Sequence, residues 1–267
     1  MSLLVAVILG LVEGLTEFLP VSSTGHLILV SQWLGSVDEG AKSFDIVIQL
    51  GAILAVVVHY RRLFAEKLAG LLARDPVALR LWGALVVAFL PAAVAGLLLG
   101  KTIKRLLFGP MPVAAALLVG GIIMIVVERV RRAKQVEGLV GTEHVTLGRA
   151  LLIGCGQCFA LWPGMSRSMS TIVAGQLAGL STATAAEFSF LLSVPTLGAA
   201  TLYEIYKGRH ELSHGVGAAQ LLVGLLVSFV VAWVVIAAFV RYLSRRGLEP
   251  FGYYRIALAV AVVLLSM

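Results

Sequence analysis

The apolar positions of this chain fall into long continuous stretches separated by short polar segments. Six stretches are apolar enough to cross a bilayer, and the shortest has 17 residues, which make about 26 Å of helix. We therefore predict six transmembrane helices, over 44–60, 79–100, 111–127, 186–206, 219–240 and 251–267.

Two further regions, 2–34 and 147–182, are apolar but are interrupted near their middles by proline, glycine, serine and charged residues. Neither half of either region is long enough to span a bilayer. Interrupted helices are tolerated at membrane depth only where they are buried in protein or line a wet cavity. Each region therefore predicts a re-entrant helix pair, and we call their turns the first tip (13–26) and the second tip (163–171).

The two interrupted regions resemble each other, which indicates an internal duplication. The aligned pairs are Gly10 with Gly154, Glu13 with Gln157, Pro20 with Pro163 and Ser23 with Ser166. The offset is 144 residues before and after the tips, and the proline and serine pairs require a one-residue gap. The chain is predicted to be a single membrane domain, 1–267, with repeats of approximately 1–128 and 145–267.

Three spans in each repeat place the second repeat upside down in the membrane, giving an inverted-topology internal repeat. The basic loops 61–78, 129–149 and 241–250 then share one side, which the positive-inside rule makes cytoplasmic. Inverted repeats with broken helices form a site where they meet at the bilayer midplane. We therefore expect the first and second tips to face each other.

The composition supports a membrane protein and argues against two other classes. Of the 267 residues, 60% are hydrophobic and only 13% are charged, so a soluble fold would leave apolar surface in water. The net charge of +7 resides mostly in short loops, and no basic patch with interleaved aromatic residues indicates nucleic-acid binding. The prediction is an all-α polytopic membrane protein without a nucleic-acid partner.

The two tips contain ionisable and hydroxyl side chains in regions that are otherwise apolar, and such residues are functional candidates. Glu13 and Glu17 lie four residues apart, on one face of a helix, and Arg167 lies in the second tip. The hydroxyl and imidazole groups come from Ser22, Ser23, Thr24, His26, Ser166, Ser168 and Thr171.

This set of side chains suits phosphate chemistry. Arginine binds phosphate through two parallel hydrogen bonds, and hydroxyl groups with helix N-terminal N–H groups hold the remaining oxygens. Paired carboxylates can hold a divalent cation that bridges a diphosphate, and His26 can act as general acid, general base or nucleophile. The alternative is a structural polar cluster in which Arg167 neutralises a glutamate.

The segments EGLTEFLPVSSTGH (13–26) and PGMSRSMSTI (163–172) resemble the two signature motifs of the undecaprenyl-diphosphate phosphatase family, also called bacitracin-resistance proteins. The resemblance runs along the whole chain. It implies hydrolysis of undecaprenyl diphosphate to undecaprenyl phosphate and inorganic phosphate, which recycles the lipid carrier for peptidoglycan synthesis and confers bacitracin resistance. It also implies a divalent cation, Mg²⁺ or Ca²⁺, and a multi-pass protein of the bacterial inner membrane with its site open to the periplasm.

The resemblance also implies roles for residues of the tips. The implied catalytic residues are Glu17, His26, Ser23 and Arg167. The implied substrate-binding residues are Ser22, Thr24, Ser166, Arg167, Ser168 and Thr171, and the implied metal ligands are Glu13 and Glu17. The nucleophile is left open between His26, Ser23 and water, and Met169 stands where the family usually has a small residue.

A polyprenyl-phosphate flippase or secondary transporter is the alternative function, because inverted repeats with paired broken helices are typical of alternating access. In either case the partners are a polyprenyl diphosphate or phosphate lipid and the surrounding membrane lipids. The oligomeric state is left open, with a homodimer as one alternative.

Overall fold

The helices were located in a computed structural model, which describes residues 1–35, 39–207, 217–243 and 246–266. These residues form eleven α-helices, which we number α1 Leu3–Thr16, α2 Ser23–Trp33, α3 Glu39–His59, α4 Arg61–Leu72, α5 Pro76–Leu107, α6 Pro110–Ala133, α7 Leu147–Gln157, α8 Arg167–Leu177, α9 Thr182–Lys207, α10 Ala218–Leu243 and α11 Glu249–Leu265. Short 3-10 helices lie at Thr142–His144 and Cys158–Leu161. The prediction of an all-helical protein is confirmed.

Four of the described helices, α5, α6, α9 and α10, are long and apolar enough to cross a membrane. A fifth span is added if α3 and α4 count as one, although the chain bends by 70° between them. The last predicted span corresponds to α11, which is shorter than these four at 17 residues. The chain is thus a multi-pass helical membrane protein with four to five candidate spans among the described residues.

Part of the predicted loop 61–78 is a helix instead. α4 packs its Leu63 and Phe64 against the core, and the indole N–H of Trp82 in α5 donates to the carbonyl of Lys67 at 3.0 Å. Asp75 then begins α5 by accepting a hydrogen bond from the N–H of Ala78 at 2.9 Å. The apolar residues of α4 recur at helical spacing between charged residues, which explains why this connection contains a helix.

Both interrupted regions fold as predicted, as a helix, a turn and a second helix. In the first region α1 and α2 are separated by residues 17–22, and in the second α7 and α8 are separated by residues 158–166. Each turn contains a proline, Pro20 or Pro163, and neither proline continues a helix.

Glycines allow α1 to pack closely on α10, and α7 on α5. A Cβ atom at Gly10 would lie 2.7 Å from the carbonyl oxygen of Gly224, and one at Gly154 would lie 2.6 Å from that of Ala88. These distances are too short for any residue with a Cβ atom. Each broken helix pair therefore packs on a span from the other half of the chain, and the two turns meet in the interior.

Candidate functional site

Each turn ends at a serine that caps the following helix. Ser22 has a φ of 72° and accepts a hydrogen bond from the N–H of Gly25 at 3.3 Å. Ser166 has a φ of 71° and accepts one from the N–H of Met169, also at 3.3 Å. Few residues other than glycine adopt this left-handed backbone, and the cap satisfies an N–H group that a helix start leaves unpaired. The helices α2 and α8 therefore begin with the same local geometry.

These matching caps correct the predicted alignment of the tips. Ser166 is equivalent to Ser22 rather than to Ser23, so the offset stays at 144 residues and no gap is needed. The alignment by sequence paired Pro20 with Pro163, but these prolines are one position out of register with the capping serines. In the corrected register Ser23 is the counterpart of Arg167, the first residue of α8.

The two tips face each other, as expected, and join through a group of three side chains, of which Ser23 is half-buried and the other two are buried. Nη2 of Arg167 lies 3.1 Å from Oε1 of Glu17, and Oγ of Ser23 donates to Oε2 of Glu17 at 2.6 Å. The side chains of Arg167 and Glu17 are only 9% and 5% exposed, so water screens their attraction little. Ser168 adds a second link by donating its hydroxyl to the carbonyl of Leu19 at 2.9 Å.

A serine that the sequence analysis missed holds the other side of Arg167. Nη1 of Arg167 donates to the carbonyl and to Oγ of Ser189 in α9, at 3.0 and 3.2 Å. Oγ of Ser189 lies 2.6 Å from Oγ1 of Thr171. Nε of Arg167 is buried and has no hydrogen-bond partner among the described residues. One donor of the guanidinium is therefore left without a protein partner among the described residues.

A cavity of about 140 Å³ lies beside the Arg167–Glu17 pair. Six of the predicted site residues line it: Glu17, Ser22, Ser23, Thr24, Ser166 and Arg167. The remaining wall consists of Gln49, Ala160, Pro163, Gly164 and Leu197. The cavity is thus polar where the tips meet and partly apolar on the side of α9 and the short helix after α7.

Three other predicted site residues support this cavity without lining it. Thr171 donates its hydroxyl to the carbonyl of Arg167 at 2.9 Å, and Ser168 holds the first tip as described above. Glu13 lies one helical turn before Glu17, is 1% exposed and has no partner for its Oε1 among the described residues. Thr171 and Ser168 thus hold the backbone of the two tips, and Glu13 lies in α1, whose end carries the cavity residue Glu17.

His26 lies in the first turn of α2 and faces α11 instead of the cavity. Its Nδ1 is 2.8 Å from the carbonyl oxygen of Ser22, and its Nε2 is 2.6 Å from the hydroxyl of Tyr254. The two rings are parallel within 2°, with centroids 5.7 Å apart. Nothing in the sequence around His26 could indicate a partner 228 positions away.

The carboxylates near the cavity are few. Across the described ranges, no three His, Cys, Asp or Glu side chains are placed so that they could hold a metal ion together. Both oxygens of Glu17 have protein partners, whereas Glu13 and Asp45 each have a buried oxygen without one. Any divalent cation held here would therefore need oxygens from water or a bound ligand to complete its coordination.

Arg255 in α11 is the second residue that the sequence analysis missed. It is completely buried, and its guanidinium donates to the carbonyl oxygens of Pro20 and Gly164, one in each turn. An arginine inside a predicted apolar span was the available signal.

The helices and the site define a class of protein, a multi-pass helical membrane protein with a polar cavity enclosed between two broken helices. The comparison with known families is specific. The model of the family described as "Bacitracin resistance protein BacA" matches residues 6–261, and the chain belongs to this family.

Similar proteins support this family. An "Undecaprenyl-diphosphatase" of Sorangium cellulosum is 62% identical over 259 residues, covering 97% of this chain and 84% of the relative. A protein with the same name from Rhizorhabdus wittichii is 47% identical over 99% of this chain and 97% of the relative. An "Undecaprenyl-diphosphatase 2" of Rhodospirillum rubrum is 48% identical over 98% of this chain and 94% of the relative.

Proposed function

We propose that this chain hydrolyses undecaprenyl diphosphate to undecaprenyl phosphate and inorganic phosphate, recycling the lipid carrier for peptidoglycan synthesis and conferring bacitracin resistance. The observation that carries the proposal is the buried Glu17–Arg167–Ser23 group, in a chain that is 62% identical to an undecaprenyl-diphosphatase. The names of the relatives favour hydrolysis over the alternative, transport of the lipid.

Arg167 binds the terminal phosphate of the substrate. Its guanidinium is held by Glu17 on one side and Ser189 on the other, so it is oriented before the substrate arrives. Its buried Nε donates to a phosphate oxygen, and the hydroxyls of Ser22, Thr24 and Ser166 lie around the same cavity. The polyprenyl chain leaves the cavity past its apolar side, at Ala160 and Leu197.

Ser23 is the nucleophile and Glu17 its general base. The Ser23 hydroxyl already donates to Glu17 at 2.6 Å, which is the geometry of an activated nucleophile. Oγ of Ser23 forms a bond to the terminal phosphorus, the bond from this phosphorus to the bridging oxygen breaks, and the serine proton passes to Glu17. Undecaprenyl phosphate leaves, and water then hydrolyses the phosphoserine to regenerate Ser23 and release phosphate.

A divalent cation, Mg²⁺ or Ca²⁺, belongs near Glu13 and Glu17. Oε1 of Glu13 is buried without a hydrogen-bond partner among the described residues, so it could bind a cation. Mg²⁺ is commonly held by one or two carboxylates together with substrate phosphates. When bound, the cation neutralises charge on the diphosphate. Chelation should abolish activity, and Glu13→Gln should raise the cation concentration needed for half-maximal rate, whereas Gln157→Ala at the equivalent position should not.

The same proposal includes the way in which the helices are placed in the membrane. Six helices, α3, α5, α6, α9, α10 and α11, cross the bacterial inner membrane, and the pairs α1–α2 and α7–α8 are re-entrant. The chain forms one domain with inverted repeats, and the equivalent caps Ser22 and Ser166 support that arrangement. A homodimer is the assembly to test by mass measurement in detergent.

The decisive experiment is phosphate release from undecaprenyl diphosphate in detergent micelles. Arg167→Ala should lower kcat/KM by about a thousandfold, because it removes the phosphate-binding group and leaves Glu17 unpaired. Arg149→Ala is the matched control, since the side chain of Arg149 donates to the backbone carbonyls of Ala178 and His144, at 3.0 and 2.8 Å. Full activity of Arg167→Ala would refute the proposed site.

The nucleophile has a test of its own. Rapid quenching with a substrate labelled in its terminal phosphate should trap label on Ser23 in the wild type and none in Ser23→Ala. Ser31→Ala, in the same helix and buried without a hydroxyl partner among the described residues, is the control. Label on a histidine, or unchanged turnover in Ser23→Ala, would refute this assignment.

A further inference from the structure

Arg255 makes contacts that connect three parts of the molecule. Its Nε donates to the carbonyl of Leu117 at 3.3 Å and its Nη2 to that of Ala116 at 3.0 Å, both in α6. Its Nη1 donates to the carbonyl of Pro20 at 3.2 Å, and Nη2 also to that of Gly164 at 2.9 Å. One guanidinium therefore ties both turns to α6 and to each other.

The surrounding chain makes room for this guanidinium. A Cβ atom at Gly120 in α6 would lie 2.3 Å from Nη2 of Arg255, so only glycine is compatible with the arginine in its place. Within the described part of the chain, the Arg255 guanidinium donates to four backbone carbonyl oxygens. The guanidinium spreads five donors over three nitrogens in a rigid plane and so serves four carbonyls at once, whereas the ammonium of lysine has three donors on a single nitrogen.

Two of the acceptors belong to the walls of the site. Gly164 lines the cavity, and Pro20 lies midway between Glu17 and Ser23 in the sequence. Within the described residues, the other polar links between the tips are the Arg167–Glu17 pair and the hydrogen bond from Ser168 to Leu19. The Arg167–Glu17 pair belongs to the proposed reacting groups, whereas Arg255 does not line the cavity and its described hydrogen bonds go to backbone carbonyls.

We propose that Arg255 is a positioning residue that fixes the two turns against each other, so that Glu17 and Ser23 stay within reach of Arg167. The proposal rests on the proposed function for its kinetic consequence, but its structural part stands independently. A displacement of about 1 Å at a reacting group can lower a rate roughly a hundredfold, so the effect is on turnover more than on substrate affinity.

Two variants disturb this contact in different ways. Arg255→Lys keeps the positive charge but loses the planar fork, and Gly120→Ala keeps the arginine but displaces its guanidinium. Two controls match them. Arg131→Lys alters an arginine that donates to the carbonyls of Gln176 and Leu180 at the far end of α8, and Gly100→Ala adds a methyl group where nothing lies within 4 Å.

The first measurement is hydrogen–deuterium exchange followed by mass spectrometry in detergent. Arg255→Lys and Gly120→Ala should speed exchange at least tenfold in peptides covering 17–25 and 161–169, with little change in 176–181. Arg131→Lys should show the reverse pattern, and Gly100→Ala no change. Unchanged exchange at both turns, or equal acceleration throughout the chain, would overturn the proposal.

The second measurement is the kinetics of phosphate release. Both test variants should lower kcat at least tenfold while KM changes less than threefold, and the controls should retain wild-type kcat. If Arg255→Lys retains full kcat, Arg255 acts through its charge, and if the loss lies in KM alone, Arg255 affects substrate binding instead of turnover; either result makes the proposal wrong. If the wild type releases no phosphate, the proposed function fails, and the exchange data still decide whether Arg255 fixes the turns.

Discussion

The first and second tips start their helices alike and differ in the side chain that follows the cap. Ser23 follows the cap Ser22, and Arg167 follows the cap Ser166, at equivalent positions. Both side chains reach the same carboxylate, that of Glu17, and each binds one of its oxygens, at 2.6 Å and 3.1 Å. One acid is thus held between the first residues of two matching helices.

The acids themselves have no counterparts in the second tip. At the corresponding offset of 144 residues, Glu17 is matched by Leu161 and Glu13 by Gln157. Gln157 donates to the carbonyl of Ala88 at 3.5 Å, whereas Glu13 has a buried oxygen without a partner among the described residues. The two tips therefore share the geometry that starts their second helices and differ in their acidic side chains.

The largest expected effect comes from removing the negative charge of Glu17, which has no acidic counterpart in the second tip. Glu17→Gln keeps the shape of the side chain but cannot accept the proton of Ser23, so kcat should fall about a thousandfold. Leu161→Gln changes the equivalent position and should stay within threefold of the wild type. Phosphate release measures both, and a Glu17→Gln variant within tenfold of the wild type would contradict the assignment.

Exchanging the two helix-starting residues tests whether the tips are equivalent frames. Arg167→Ser alone leaves Glu17 buried without its cation and should lower the free energy of unfolding by about 3–5 kcal/mol. Adding Ser23→Arg returns a cation to the other oxygen of Glu17 and should recover at least half of this loss, without activity. Thermal unfolding in detergent measures the recovery, and a double variant no more stable than the single one would contradict the equivalence.

Packing of the broken helices should have a smaller effect. Gly10→Ala and Gly154→Ala each force a methyl group towards a backbone carbonyl, at 2.7 and 2.6 Å, and should lower the free energy of unfolding by roughly 1–3 kcal/mol. Gly198→Ala in α9, with open space around it, is the control. A loss at one site only would show that the two packing surfaces are not equivalent.

The smallest expected effect concerns His26 and Ser170, which lie four residues after the capping serines. His26 bonds the carbonyl of Ser22 at 2.8 Å, and its counterpart Ser170 donates to that of Ser166 at 2.9 Å. If His26 mainly holds its turn against α11, His26→Asn and Tyr254→Phe should lower kcat/KM similarly, by roughly three- to tenfold. Loss of turnover in His26→Asn with an unaffected Tyr254→Phe would show instead that His26 takes part in the chemistry.

The sequence predicted the helices, the two interruptions and most of the cavity because these depend on local features, namely apolar length, helix-breaking prolines and clustered polar residues. The sequence alignment of the two tips was off by one residue. It paired Pro20 with Pro163, whereas the capping serines Ser22 and Ser166 are the residues with matching geometry. Ser189 and Arg255 could not be placed, since their roles depend on contacts with residues far away in the sequence. For the same reason the sequence did not predict that the His26 side chain faces Tyr254 in α11.

The packing of α1 on α10 has a consequence for the order of synthesis. The surface that receives Gly10 and Gly14 is formed by Gly224 and Ser228, so it does not exist until roughly 200 residues after α1 have been made, ~10–40 s at typical bacterial elongation rates. Until then, the first broken helix pair stays in the membrane or at the insertion machinery. During this time Glu13, which is buried in the folded protein, is still exposed. A ribosome stalled before α10 should leave α1 accessible to membrane proteases, and completion of α10 should protect it.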